Sequence, residues 1–207
     1  LCGAVMPANS HVGKRVRNVA VMLAGGKVVF TQQKMLLPFY DVFDEQRYFE
    51  PAERQTLTSV AGEPLAVTIC EDAWNDKGFW PRRMYQVDPV DALMKQWSAL
   101  PEKLASGPRV ILNISASPYW QGKQQVRQEM LRALAERHGA YVAMLNQVGG
   151  NDSLVFDVAS LVLRPDGRVM ARAASFAEDL VVCDTADGAT ALADAPVDEV
   201  EEMWQAL

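Results

Sequence analysis

Cys70 is the strongest candidate nucleophile in this chain. It ends the apolar run LAVTIC and leads into an irregular stretch rich in acidic and aromatic residues, and α/β folds place reactive groups at strand ends of this kind. The commoner role of a free cysteine is that of a small buried hydrophobe. The carboxylates of Glu71 and Asp72, directly after it, disfavour a thiolate, so a reactive Cys70 requires a nearby cation or base. Lys34 can supply the cation, since it closes another apolar run and opens an aromatic-rich loop, although most lysines at strand ends are solvated. Glu45, flanked by Asp44, Arg47 and Tyr48, reads by itself as a solvated loop carboxylate. Imidazole chemistry has little material: His138 falls at an expected helix C-terminus, where it caps carbonyls, and His11 falls in a polar stretch.

The composition narrows the setting. Cysteines 2, 70 and 183 are odd in number and show no CxxC spacing, so neither a disulfide framework nor a metal site is indicated and a reducing cytoplasm fits. A net charge of -6 without a basic block argues against a nucleic-acid partner. The apolar runs are strand-sized, far short of the ~20 residues that span a bilayer, and LCGAVMPANS lacks the charged and apolar regions of a signal peptide.

Several elements must position these groups. VAVML and KVVFTQ, separated by AGG, read as a hairpin that delivers Lys34. KMLLPFYDVFDEQRYFEP follows as a long loop, and LAVTIC is a buried strand that delivers Cys70. Asp88 and Pro89 open an amphipathic helix in which Val90, Leu93, Met94, Trp97 and Leu100 repeat at helical spacing. RVILNIS and AYVAMLN are strands flanking a helix that closes at His138 and Gly139. LVFDVASLVL and RVMARA read as a second hairpin, DLVVCD as a final strand, and the acidic, small-residue tail as a linker that enters another helical pattern. Strands and helices alternating between terminal hairpins imply an α/β domain with a mixed sheet.

The strings KMLLPFYDVFDEQRYFEP, ICEDAW, NISASPYWQGK and NQVGGNDSLVFDVAS, in that order, resemble the glutaminase domain of the glutamine-dependent NAD⁺ synthetase family, a branch of the nitrilase or carbon–nitrogen hydrolase superfamily. The likeness runs from about Asn18 to about Asp184. It implies a nitrilase-like αββα sandwich, with residues 1–184 as the glutaminase domain and 185–207 as an acidic linker and the start of a helix leading to a synthetase domain. Cys70 matches the family nucleophile, Lys34 the catalytic lysine and Glu45 a glutamate that holds that lysine. Tyr40, Glu71, Ser117 and Lys123 match positions that recognise L-glutamine, with Glu71 suited to its α-ammonium and Lys123 to its α-carboxylate.

The resemblance further implies homo-oligomers through nitrilase-type domain pairing, a cytoplasmic setting, no cofactor in this domain, and ATP, Mg and deamido-NAD only in the synthetase domain. It also expects a general-base glutamate in an N-terminal strand-to-helix unit. No carboxylate precedes Asp41. With the start at Leu1 and a helical pattern cut at Leu207, the expectation is a chain lacking its first strand-helix unit and inactive alone. The rival readings are a stand-alone amidase or carbamoylase and a non-catalytic assembly module.

Overall fold

Two glycines set the first hairpin. In the computed structural model, which describes residues 1–8, 11–186 and 198–207, Gly25 and Gly26 take φ of +56° and +73°, the pair of left-handed values that a tight turn between twisted strands requires. They join β2 (Val16–Ala24) to β3 (Lys27–Gln33), and β1 (Cys2–Pro7) pairs antiparallel with the other edge of β2. β1 has no counterpart among the expected elements. The Lys34 N–H continues the ladder to the Asn18 carbonyl at 2.9 Å, which fixes the start of the long loop. A one-turn helix, α1 (Glu45–Tyr48), interrupts that loop.

Residues 1–107 form one compact unit and 108–207 another. In the first, β4 (Thr58–Val60) folds back on β5 (Glu63–Ile69). β5 is buried along both faces from Pro64 to Ile69, and α2 (Pro89–Ser98) packs on it with Leu93 and Trp97 fully buried. Burial of such side chains contributes about 1.5–3 kcal/mol each. The Asp88 carboxylate caps α2 by accepting from the Asp91 N–H at 2.9 Å, as its sequence position predicts. A short α3 (Glu102–Ala105) ends the unit.

The second unit is built on a parallel pair, β6 (Val110–Ser115) and β7 (Tyr141–Asn146), connected through α4 (Lys123–His138). Gly139 ends α4 at φ +56°. β10 (Leu161–Leu163) runs antiparallel to β7 and β11 (Val169–Arg172) antiparallel to β10, so the sheet is mixed. Met130, Leu131 and Leu134 of α4 and Val142 of β7 are wholly buried.

Two expected strands are corrected. LVFDVASLVL is not one strand: β9 (Leu154–Asp157) pairs with a separate β8 (Val148–Asn151). The chain then breaks at Val158 and Ala159, with φ of +55° and +42°, before β10 pairs with β7. Local apolar continuity concealed a change of ladder partner. DLVVCD is irregular throughout, because alternation alone makes no strand without a ladder neighbour. Among the described residues it has none, and Leu180 and Val182 stand in solvent. The expected tail helix is α5 (Glu199–Ala206), while most of the acidic linker lies outside the described residues. No helix among the described residues is long and apolar enough to cross a membrane.

Candidate active site

β5 delivers Cys70 into a 3₁₀ turn, Cys70–Ala73, with its backbone at φ +44°. A non-glycine residue held in the left-handed region costs of order 1–3 kcal/mol and persists where its surroundings over-determine it. Here the surrounding constraint is Asp72, which is almost completely buried. Its Oδ1 accepts from the N–H groups of Met35 and Leu36 at 3.0 and 2.8 Å. Its Oδ2 accepts from the Ile69 N–H at 3.1 Å and from Gln55 Nε2 at 2.8 Å. One carboxylate therefore staples the backbone following Lys34 to the backbone preceding Cys70. Burial pushes the Asp72 pKa up, and the Leu36 N–H, Gln55 and the Lys34 charge oppose it.

Lys34 is 1% exposed and donates from Nζ to Glu45 Oε1 at 2.5 Å. Asn18 Nδ2 donates to the other Glu45 oxygen at 3.3 Å. Glu45 is therefore not the solvated loop carboxylate that its neighbours in sequence suggest. α1 turns it inward against Lys34. Burial penalises the charge of Lys34, but the Cys70 thiolate and the Glu45 carboxylate together outweigh it and leave the Lys34 pKa raised. Lys34 is consequently a fixed cation near neutral pH, and by reciprocity its charge favours the Cys70 thiolate.

Glu71 points into a cradle of phenols. Tyr40 donates from Oη to both carboxylate oxygens at 2.9 Å, and Tyr85 donates to Oε1 at 3.1 Å. Burial, followed by the Glu71 charge, raises both tyrosine pKa values. For Glu71 itself burial raises the pKa, against the lowering effect of the two phenols and Lys34. A buried, acceptor-rich carboxylate of this kind suits a cationic ligand group, whose arrival restores the charged form.

This geometry gives a pH dependence. Affinity for an α-ammonium should improve as pH rises through the elevated Glu71 pKa, because the ligand binds the deprotonated form, and should flatten once Glu71 is ionised. Half-saturation by a free amino acid, measured across pH, checks it. A Glu71→Gln variant should lose both the affinity and this slope.

In the second unit Ser117 and Lys123 bound one short segment. Asn146 Oδ1 accepts the Ser117 N–H at 2.8 Å and its Nδ2 donates to the Ser117 carbonyl at 3.2 Å. Lys123, which is buried, donates from Nζ to the Pro118 carbonyl at 2.6 Å. The structure thus joins Lys34 with Glu45 and Tyr40 with Glu71, and places Ser117 and Lys123 in the other unit. Sequence reasoning passed over Asn18, Gln55, Tyr85 and Asn146. Nothing in their local sequence marks them, since their roles arise from residues 14 to 29 positions away.

A thiol at a strained strand end, a lysine held charged by a glutamate and a buried carboxylate held by two phenols stand together on the first unit of a nitrilase-type fold. The chain belongs to the carbon–nitrogen hydrolase family, whose model matches residues 1–194. It is 38% identical to a glutamine-dependent NAD(+) synthetase of Synechocystis sp., an alignment that covers all of this chain and 37% of that protein. The solved structure of glutamine-dependent NAD+ synthetase from Acinetobacter baumannii superposes with a TM-score of 0.76 at 30% identity, covering 99% of this chain and 35% of that one. An amidase from Nesterenkonia sp. shares the fold at a TM-score of 0.58 and 22% identity, over 82% of this chain and 55% of that one. The fold is thus the nitrilase-type α/β fold with a mixed sheet, and the chain spans about a third of the length of the synthetases it matches.

Proposed function

We propose that this chain carries the amide-cleaving half of a glutamine-dependent NAD⁺ synthetase. A general base takes the Cys70 proton, the thiolate attacks the side-chain carboxamide carbon of glutamine to form a tetrahedral oxyanion, and as this collapses the C–N bond breaks and the same proton passes to the leaving nitrogen, which departs as ammonia and leaves a Cys70 thioester. Water then cleaves the thioester to glutamate and the free thiol. Lys34 and the Glu71 backbone N–H are the donors assigned to the oxyanion. Glu71, with Tyr40, takes the α-ammonium. Ser117 and Lys123 take the rest of the head group, with Lys123 acting as a point charge on the α-carboxylate.

Ammonia passes in this reading to a synthetase domain that amidates deamido-NAD, and ATP and magnesium act there. Pairing of nitrilase-type domains into homo-oligomers in the cytoplasm completes the proposal. The observation that carries it is the Lys34–Glu45 pair, whose fixed charge is coupled to Cys70.

Labelling tests it. Cys2 and Cys183 are exposed and Cys70 is buried, so a plain alkylating reagent should modify Cys2 and Cys183 first. A diazoketone analogue of glutamine applied to the intact protein should reverse that order and place its label on Cys70 in peptide mass maps. Label on Cys183 with Cys70 untouched sinks the assignment. Cys70 reacting no faster than the other two identifies a non-catalytic module instead.

A further inference from the structure

α5 is built inside out. Its Val200 and Trp204 are more than 70% exposed, while its one buried residue is Glu202, at 7%. An eight-residue helix is marginal by itself, so polar contacts must hold this one. Asp198 caps it, accepting from the N–H groups of Val200 and Glu201 at 3.0 and 3.2 Å. Glu199 Oε2 accepts from Gln121 Nε2 at 2.6 Å, which ties α5 directly to the segment between Ser117 and Lys123.

The buried carboxylate of Glu202 adds to this. Neither of its oxygens has a hydrogen-bond partner among the described residues, nor do Nε and Nη1 of Arg127 or the Tyr119 hydroxyl, all of them buried. Arg127, 1% exposed, uses Nη2 on Asp157 Oδ2. Asp157 Oδ1 in turn accepts from Asn146 Nδ2 at 3.2 Å, and Asn146 grips both backbone groups of Ser117. Two unpartnered donors on one guanidinium and two unpartnered acceptors on one carboxylate are complementary, directly or through one water. The charges of Asp157 and Arg127 both act on the Glu202 carboxyl, whose pKa burial raises first. Leaving such a pair unmade would be costly to both groups.

We infer that Glu202 is a positioning residue for the Ser117–Lys123 segment, acting through Arg127, Asp157 and Asn146, so that docking of α5 sets the affinity for the substrate's amino-acid head group. The inference rests on the glutamine reading above. It adds that a helix distant in sequence from Cys70 tunes substrate affinity and leaves the reacting groups alone.

The test uses the intact protein and the diazoketone glutamine analogue, with Cys70 modification followed against reagent concentration. Glu202→Ala should raise the half-saturating concentration about tenfold, the effect of losing one charge-assisted contact, with the maximal rate within about twofold. Glu202→Gln, which keeps one acceptor, should recover part of that affinity. Alkylation of Cys70 by iodoacetamide, which has no head group, should be unchanged. If Glu202→Ala does not fold, Glu199→Ala removes only the exposed tie to Gln121 and should shift half-saturation in the same direction, about threefold. Unchanged half-saturation in the variants that fold, or a parallel fall in iodoacetamide reactivity, overturns the inference. Absence of saturable labelling in the unaltered protein overturns the glutamine reading itself, which separates the two failures.

Discussion

Replacing Lys34 with Met in the intact protein is expected to lower glutamine-driven NAD⁺ synthesis by about 10³-fold or more and to leave synthesis from free ammonia within about twofold. The magnitude follows from what the charge does. Removing one oxyanion donor typically costs ~10²–10³ in turnover, and Lys34 is in addition the cation that favours the Cys70 thiolate. Ammonia supplied from solution bypasses the thioester, so the second activity is a built-in control for folding.

Stability must be separated from chemistry, because Lys34 is the buried half of an ion pair with Glu45. Removing one partner of a buried pair is destabilising by about 3–5 kcal/mol. The double variant Lys34→Met/Glu45→Gln removes both charges and should regain much of the thermal stability while remaining inactive with glutamine. If the ammonia-driven reaction falls in step with the glutamine-driven one, Lys34 is a structural residue of the loop and the assignment fails.

The parts of this site that sequence could reveal are those fixed by local pattern. The hairpin before Lys34, the buried strand before Cys70 and the Asp88 cap of α2 each depend on a few neighbouring residues, and each stands where the pattern puts it. Lys34, Glu45, Tyr40 and Glu71 came from ordered motifs, and the structure joins them pairwise. Asp72 shows the opposite case. In sequence it counts as a second carboxylate that disfavours a thiolate, whereas in the fold its charge is taken up by four N–H donors from three segments. Such convergence leaves no local trace. DLVVCD failed for a related reason: a strand is defined by its neighbour, and its own alternation does not supply one.

The carboxylate chemistry around Cys70 leads to the second large effect. A thiol at neutral pH needs a base to take its proton and afterwards to activate water, and assistance of this kind is typically worth ~10²–10⁴-fold. Among the described residues, the charges of Glu45, Glu71 and Asp72 act on Lys34. Glu45 has one oxygen on the Lys34 ammonium and the other on Asn18, so protonating it would break the pair that keeps Lys34 in place. Glu71 is held by two phenols in the position assigned to the substrate ammonium. Asp72 accepts four N–H hydrogen bonds that hold it in place between the backbone after Lys34 and the backbone before Cys70. Lys34, a fixed cation, accepts no proton. The 207-residue chain assayed by itself is therefore expected to release ammonia from glutamine at least about 10²-fold more slowly than a full-length synthetase relative, even if it binds glutamine. Ammonia release from the purified chain measures this directly. Turnover approaching that of the relative would make one of these carboxylates the base, and loss of that turnover in Glu45→Gln but not in Glu71→Gln would identify Glu45, overturning the purely structural role given to it here.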